Sequence, residues 1–155
     1  MLKFAFVFSL VVSTTGLAGV AKSLVFDTGV FHGRTTTGDD CALEIKELPF
    51  HSVIRHAIQF SINRKQMGKQ FLTLRENYKI ENTVQNTGIY LRASKDAGIG
   101  GQRYDNLALE LSDDLITKVS LTLERGLFNV RERKFDCQLF DSINYRVEEV
   151  KRYSR

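Results

Sequence analysis

The sequence lacks tryptophan and has one proline, Pro49, and two cysteines among 155 residues. It also lacks low-complexity stretches and internal repeats, so no linker divides it and we predict one domain. The two cysteines are too far apart for the C-x-x-C spacing of structural zinc sites. Neither the phosphate-binding G-x-x-x-x-G-K-[ST] motif nor the D-x-D-x-D-G calcium motif occurs. We therefore predict no metal and no cofactor.

No apolar run in the sequence is long, and the longest one lies near the N-terminus. After a short positively charged start, the stretch 4–12 is apolar apart from one serine. A membrane-spanning helix needs about 20 such residues, which argues against an uncleaved anchor. Small residues follow at the spacing that signal peptidase recognises. We predict a cleavable signal peptide over 1–21, with cleavage after Ala21 or alternatively after Ala18, and a periplasmic or secreted domain over 22–155.

Both cysteines, Cys41 and Cys137, fall in this exported domain. Exported proteins meet an oxidising environment, where paired thiols persist as disulfides. Two cysteines allow a single intramolecular pairing, so we predict the disulfide Cys41–Cys137, with two buried free thiols as the alternative. Closing so long a loop stabilises a fold by up to about 4 to 5 kcal/mol in the chain-entropy model.

Apolar residues alternate with polar ones along most of the domain. The clearest case is Val119, Leu121 and Leu123, separated by Ser120 and Thr122. This period of two places successive side chains on opposite faces of a strand. The same alternation recurs over 41–45, 54–62, 72–74, 89–91 and 107–111. Several short strands in series predict an all-β fold, an antiparallel meander that forms a small barrel or a sandwich.

Turn residues indicate hairpin loops at 65–69 and 124–126. The apolar parity switches between Leu127 and Phe140, which predicts a β-bulge near Arg131 to Lys134. Two segments also fit a helical stripe, namely 53–62 and the tail 143–153. We favour strand for both, the first because it is rich in β-branched residues and has no helix N-cap.

No set of residues supplies a nucleophile, a base and an electrostatic stabiliser in a recognisable spacing. His56 occupies an apolar position of its strand, so we interpret it as structural, and His51 would face the opposite side. The pairs Asp39-Asp40 and Asp113-Asp114 fit turns. We predict a protein that is not an enzyme, with a cryptic hydrolase as the alternative, because catalytic groups assemble in space.

The stretch 94–105 is the least generic in the chain. Its glycines allow close approach of another molecule, although a flexible hairpin tip fits them as well. We predict a binding loop whose contact residues are Gly98, Gly100, Gly101, Arg103 and Tyr104.

Gly100-Gly101-Gln102-Arg103-Tyr104 resembles the S-G-x-x-Y loop of the periplasmic inhibitors of C-type lysozyme. These inhibitors are small disulfide-bearing antiparallel barrels that insert the loop into the active cleft of lysozyme. Gly100 stands where that family has serine, and the family's tryptophan is missing. The resemblance implies that Gly101 and Tyr104 are the loop residues that carry over.

A broader resemblance covers the layout of the domain. The segment Thr35 to Ile45 around the first cysteine, answered by Phe135 to Leu139 around the second, is similar to a group of uncharacterised small exported β proteins of predatory bacteria. This resemblance implies export and the same cysteine pairing, and no activity.

The last third of the domain is basic, but glutamates interrupt it and aromatic platforms are missing, so we predict no nucleic-acid partner. Alternation is also typical of outer-membrane barrels. Charged residues on the second face and the absence of a terminal aromatic residue argue for a protein that is not integral to a membrane. We expect a soluble binding or structural module for an unknown protein or small ligand. The alternatives are a small-ligand-binding barrel and an inhibitor of a lysozyme-like hydrolase.

Overall fold

The computed structural model describes residues 21–50, 53–73, 78–82, 87–95, 103–126 and 131–150, and these ranges hold strands and turns but no helix. It follows that no helix in them could cross a membrane. The strands in these ranges are β1 (Ala21–Phe26), β2 (Gly29–Arg34), β3 (Asp40–Phe50), β4 (Val53–Ile62), β5 (Lys65–Leu72), β6 (Tyr78–Asn82), β7 (Thr87–Lys95), β8 (Arg103–Ser112), β9 (Leu115–Arg125), β10 (Arg131–Ile143) and β11 (Tyr145–Val150).

Nine of these strands form one antiparallel sheet in the order β5-β4-β3-β2-β10-β9-β8-β7-β6, and β1 pairs with β11 in a separate two-stranded ribbon. The large sheet curls into a half-barrel, so that its edge strand β5 contacts β7 and β8. The ribbon packs against β4. The predicted all-β antiparallel fold is confirmed.

The alternation in the sequence sorts the side chains of the large sheet. Val119, Leu121 and Leu123 are buried on the inner face, while Ser120 and Thr122 lie on the outer face. Because each strand contributes every second side chain to the inside, the curled sheet encloses one apolar core. The core includes Leu43, Ile45, Ile58, Phe60, Phe71, Ile89, Leu91, Leu107, Leu109 and Cys137.

A buried carboxylate fastens the edge strand β5 to the far side of the curled sheet. Asp105 on β8 is 2% exposed. It accepts a hydrogen bond from the backbone N–H of Lys69 at 2.7 Å and pairs with Arg125 on β9 at 2.6 Å. The approach is close at Gly68, where a Cβ would lie 3.0 Å from the Asp105 carboxylate. Gly68 also has φ +70° at the register shift between β4 and β5, so both its backbone conformation and this close approach favour glycine.

The hairpin loop predicted at 65–69 is wrong. The turn between β4 and β5 is Asn63-Arg64, and both residues have positive φ, as do Asp113 and Asp114 between β8 and β9. Two-residue hairpins whose twist matches the strands require positive φ at both positions, which Asn and Asp tolerate. The prediction failed because it used Gly68 as the turn signal.

The β-bulge predicted near Arg131 to Lys134 is also misplaced. The register between β10 and β9 runs without interruption from Arg131 to Gln138 and shifts between Gln138 and Ile143. There β10 pairs with β2 on its other side. The apolar residues that suggested an earlier bulge, in 127–130, lie outside the described residues.

The two ambiguous segments are strands, β4 and β11, as predicted; residues 151–155 of the tail lie outside the described part. The strand β1 had no sequence signal of its own. Leu24, Val25 and Phe26 are consecutive and all are buried, so no alternation marks them. Pairing with β11 and packing on β4 explain this burial.

The predicted disulfide Cys41–Cys137 is confirmed, with the two Cα atoms 5.9 Å apart. It joins β3 to β10 although β2 lies between them in the sheet. Gly33 on β2 sits beneath the bridge, where a Cβ would lie 2.8 Å from Cys137 Sγ and 2.3 Å from the carbonyl oxygen of Gln138. The disulfide can cross β2 here because residue 33 is a glycine and has no side chain.

Candidate functional site

A groove of about 460 Å³ lies on the outer face of the sheet, over β6 to β9. We call it the outer groove. Its floor includes Leu91 and Leu107, whose side chains are buried on the opposite face, so they offer main chain to the groove. The other lining residues are Tyr78, Lys79, Tyr90, Arg92, Asn106, Ala108, Ser120 and Thr122.

Strand register explains why a depression forms here. One cross-strand row runs Tyr90, Ala108, Ser120. Neighbouring positions in such a row lie about 5 Å apart, so the small side chains of Ala108 and Ser120 leave space beside the large ring of Tyr90. A second row, two residues further along each strand, runs Arg92, Asn106, Thr122. The two rows form the groove's polar walls.

Tyr90 presents an aromatic surface to this groove. It is 39% exposed. Its ring lies against the main chain of Gly88 on the same strand, where a Cβ would be 3.0 Å from the hydroxyl oxygen and 3.1 Å from two ring carbons. Gly88 therefore lets the ring pack onto the sheet instead of standing away from it. A ring held in this way offers a flat surface to a ligand.

Arg92 supplies the positive charge of the outer groove. Its guanidinium carbon lies 3.9 Å from the ring centroid of Tyr104, which holds it by a cation–π contact. The nearby outer-face lysines are paired with glutamates: Lys79 with Glu81, Lys118 with Glu110 and Lys134 with Glu132. Among the described residues no carboxylate pairs with Arg92. Its donors are therefore available to a ligand.

Two glutamates orient the hydrogen-bonding groups of the groove. Glu124 accepts from Asn106 Nδ2 at 2.6 Å, which leaves the amide oxygen of Asn106 as an acceptor. Glu110 accepts from the hydroxyl of Ser120 at 3.1 Å. Thr122 has no hydrogen-bond partner among the described residues. The walls therefore combine one free hydroxyl with acceptors of fixed direction, which suits a ligand rich in hydroxyl groups.

A second depression, of about 590 Å³, lies beside the turn that joins β2 to β3. Its threonine, asparagine and aspartate side chains bond to one another. Thr37 and Asn63 donate to the Asp39 carboxylate at 2.9 and 3.0 Å, which lowers the pKa of that carboxyl. Thr36 donates its N–H and its hydroxyl to Asp136. With these groups already satisfied, the arrangement is that of a rigid turn.

A third depression, of about 520 Å³, lies on the outer face near the disulfide. Phe140, 66% exposed, borders it. Arg34 is paired with Asp40 at 3.7 Å, and no aromatic ring or carboxylate in the described residues fixes Arg64. The outer groove, with a cation and a ring both held in place, is the better built site.

His56 is fully buried at the junction of β4 and the ribbon, as the sequence predicted for a structural histidine. Its ring meets Phe26 edge-on at 5.6 Å. The backbones of Leu24 and Phe26 lie near the His56 ring, but neither ring nitrogen of His56 has a hydrogen-bond partner within the described ranges. Burial lowers the pKa of His56, and the charge of Glu47 opposes that effect. The residue lies outside every depression described above.

Only some of the residues predicted as a binding loop lie within the described part of the chain. Gly98, Gly100 and Gly101 lie outside the described residues. The hairpin below them is regular, since β7 pairs with β8 as far as Lys95 and Arg103. Tyr104 pairs with Ser94 next to the last strand pair of this hairpin and contacts Arg92 of the outer groove. The described residues thus place one predicted contact residue beside the candidate site.

His51 also lies outside the described residues, and His32 is exposed on β2. In the described ranges, no three His, Cys, Asp or Glu side chains converge on a point that could hold a metal ion.

Comparison with protein-family models, with curated proteins and with solved structures finds no match to this chain. Both resemblances drawn from the sequence therefore stay predictions. The candidate site rests on its own geometry.

The sequence predicted Tyr104, which contacts Arg92, but none of the residues that line the groove. They sit at the polar positions of alternating strands, where solvated side chains are expected, and only the register of three strands brings them together. One local signal was available. Gly88-Ile89-Tyr90 places a glycine two residues before an aromatic on the polar face of a strand, which allows the ring to lie on the sheet.

Proposed function

We propose that this protein is an exported, non-catalytic binding module that takes a small polar ligand in the outer groove. Export is supported by the signal-peptide pattern at the N-terminus and by the Cys41–Cys137 disulfide, which persists in oxidising compartments. The observation that carries the binding proposal is the unpaired guanidinium of Arg92, held by Tyr104 beside the exposed ring of Tyr90. Fixed aromatic and charged groups around a concave surface are typical of ligand sites.

The same geometry argues against the other classes considered. A small-ligand barrel would bind inside, but the inner face is filled by apolar side chains such as Leu43, Phe60 and Leu109, which are buried. A cryptic hydrolase would need a histidine and a carboxylate in a cleft. His56 lies in the core against Phe26. His32 and Asp40 both line the third depression, but the Asp40 carboxylate pairs with Arg34, and in the described residues no carboxylate bonds to His32.

Saturation-transfer NMR with an equimolar mixture of monosaccharides, amino acids and small carboxylates tests the binding proposal. We expect a signal from at least one component. Ala108→Leu would fill the floor of the groove and abolish that signal. The matched control is Ala42→Leu, which adds the same side chain to the outer face of β3. No signal from any component, or a signal that Ala108→Leu leaves intact, would refute binding in the outer groove.

A second candidate is binding of a protein through the β7–β8 hairpin, as the lysozyme-inhibitor resemblance implies. The observation that favours it is the regular pairing of the hairpin up to Lys95 and Arg103, the two residues that flank the predicted contact glycines. Turbidity assays of cell-wall lysis by C-type lysozyme test it. The wild type should slow lysis and Tyr104→Ala should slow it less; lysis at the uninhibited rate with the wild type would refute it.

A further inference from the structure

We infer that the ligand of the outer groove is a saccharide that carries a carboxylate group. This inference rests on the proposed function and deepens it. The first support is the ring of Tyr90, which packs on Gly88 and leaves a flat apolar surface. The C–H groups on one face of a sugar ring form an apolar surface that stacks on such aromatic rings. A tyrosine supplies this contact at a small conformational cost because it has few rotatable bonds.

The second support is the charge of the site. Arg92 has a planar guanidinium whose paired N–H donors match the two oxygens of a carboxylate. Its contact with Tyr104 already restricts the guanidinium, so less side-chain freedom is lost on binding. In the described part of the chain the nearby lysines are paired with glutamates, so Arg92 is the cation of the groove that no carboxylate pairs with. A ligand with a single negative charge balances it.

The third support is the set of groups opposite Tyr90 across the groove. Asn106 offers an amide oxygen whose direction Glu124 fixes, and Thr122 offers a free hydroxyl. Ser120 donates to Glu110, so its oxygen faces the groove as an acceptor. Three such groups on neighbouring strands match the vicinal hydroxyls of a sugar ring, which donate and accept at regular spacing.

Other small anions fit the groove less well. A phosphate ester carries close to two negative charges, against the single unpaired guanidinium of Arg92. A free amino acid also needs a carboxylate for its ammonium group; Glu110 is paired with Lys118, and the amide of Asn106 already occupies one oxygen of Glu124. A uronic acid or another carboxyl-bearing sugar brings one carboxylate for Arg92 and no cation that needs a second carboxylate.

Isothermal titration with methyl β-D-glucuronide and methyl β-D-glucoside tests the inference, because the two probes differ only at C6, which is a carboxylate in the first and a hydroxymethyl group in the second. We expect the glucuronide to bind at least about tenfold more tightly, the gain typical of a charge-assisted hydrogen-bonded pair. Arg92→Gln should bring the two affinities within about twofold of each other by removing that pair. Tyr90→Ala should weaken both probes alike, and Tyr90→Phe should retain them.

Phe140→Ala is the matched control, since it removes an exposed aromatic ring from the opposite half of the sheet; thermal unfolding confirms that each variant is folded. Equal affinity for the two probes, or a preference for the glucuronide that Arg92→Gln leaves unchanged, would overturn the inference. If neither probe binds while another component of the NMR mixture is lost on Ala108→Leu, the ligand class is wrong and the proposed function stands. If no component binds, both fail.

Discussion

We expect Gly33→Ala to destabilise the fold strongly, because β2 passes beneath the disulfide at this residue. In Gly33→Ala the new Cβ would lie 2.3 Å from the carbonyl oxygen of Gln138, 2.8 Å from Cys137 Sγ and 2.9 Å from the Gln138 carbonyl carbon. Ordinary contacts begin at 3.4 Å. The obstructing atoms are main chain and a cross-linked sulfur, so no flexible side chain can move aside. The strands must separate by about 1 Å in a close-packed region.

Overpacking of this kind costs about 1 to 3 kcal/mol, and occasionally more. We expect a value near the upper end, about 3 kcal/mol, because the shift also opens the β2–β10 ladder, which pairs only Arg34 with Gln138 and Gly33 with Leu139. For a domain of this length that loss lowers the Tm by about 10 °C. Circular dichroism during heating and during urea unfolding, both without reductant, measures it.

Gly38→Ala is the control that separates a clash from backbone strain. Gly38 has φ +90°, which an alanine adopts at a cost, but no atom lies within 4 Å of its Cβ position. We expect a loss of about 1 kcal/mol there. If Gly33→Ala is no more destabilised than Gly38→Ala, the close crossing of β2 under the disulfide is refuted.

Three further results are expected. Asp105→Ala removes the carboxylate that pairs with Arg125 and accepts from the Lys69 N–H, and it should cost about 3 kcal/mol, seen as a lower urea midpoint, whereas equal stability would refute the fastening of β5. Burial lowers the pKa of His56 below its ordinary 6.5, so the unfolded chain binds the proton first. The free energy of unfolding should be unaffected above pH 6.5 and should fall as the pH drops below it. Urea unfolding above and below pH 6.5 measures this fall, which should be smaller in His56→Leu. Reduction of the disulfide should lower the free energy of unfolding by about 2 to 4 kcal/mol, measured by unfolding with and without reductant, and an unchanged midpoint would contradict this.

The strands and the core could be predicted because alternation is a local property. Val119, Leu121 and Leu123 point inward for the same reason in any half-buried strand. The disulfide could be predicted because two cysteines in a chain that is expected to be exported allow only one intramolecular pair. The turn at Asn63-Arg64 was missed because its second residue is an arginine at positive φ, which carries little turn signal.

Strand order could not be predicted, since it depends on contacts distant in sequence. Phe26 pairs with Tyr145, and Arg34 pairs with Gln138. The outer groove depends on such information too. Nothing in the sequence distinguishes Ala108 from other alanines, and only the strand register places it between Tyr90 and Ser120.

The pairing of β2 with β10 has a consequence for how the chain folds. On one side of this seam, β2 to β5 pair in sequence order, and on the other side β6 to β10 do the same. Each half can therefore form hairpin by hairpin from local contacts. Joining them is the long-range step, and the disulfide, with its partners 96 residues apart in sequence, crosses this seam. Oxidation of the two thiols should therefore follow the docking of the halves, and a cysteine pair that has formed would mark a chain whose folding is nearly complete.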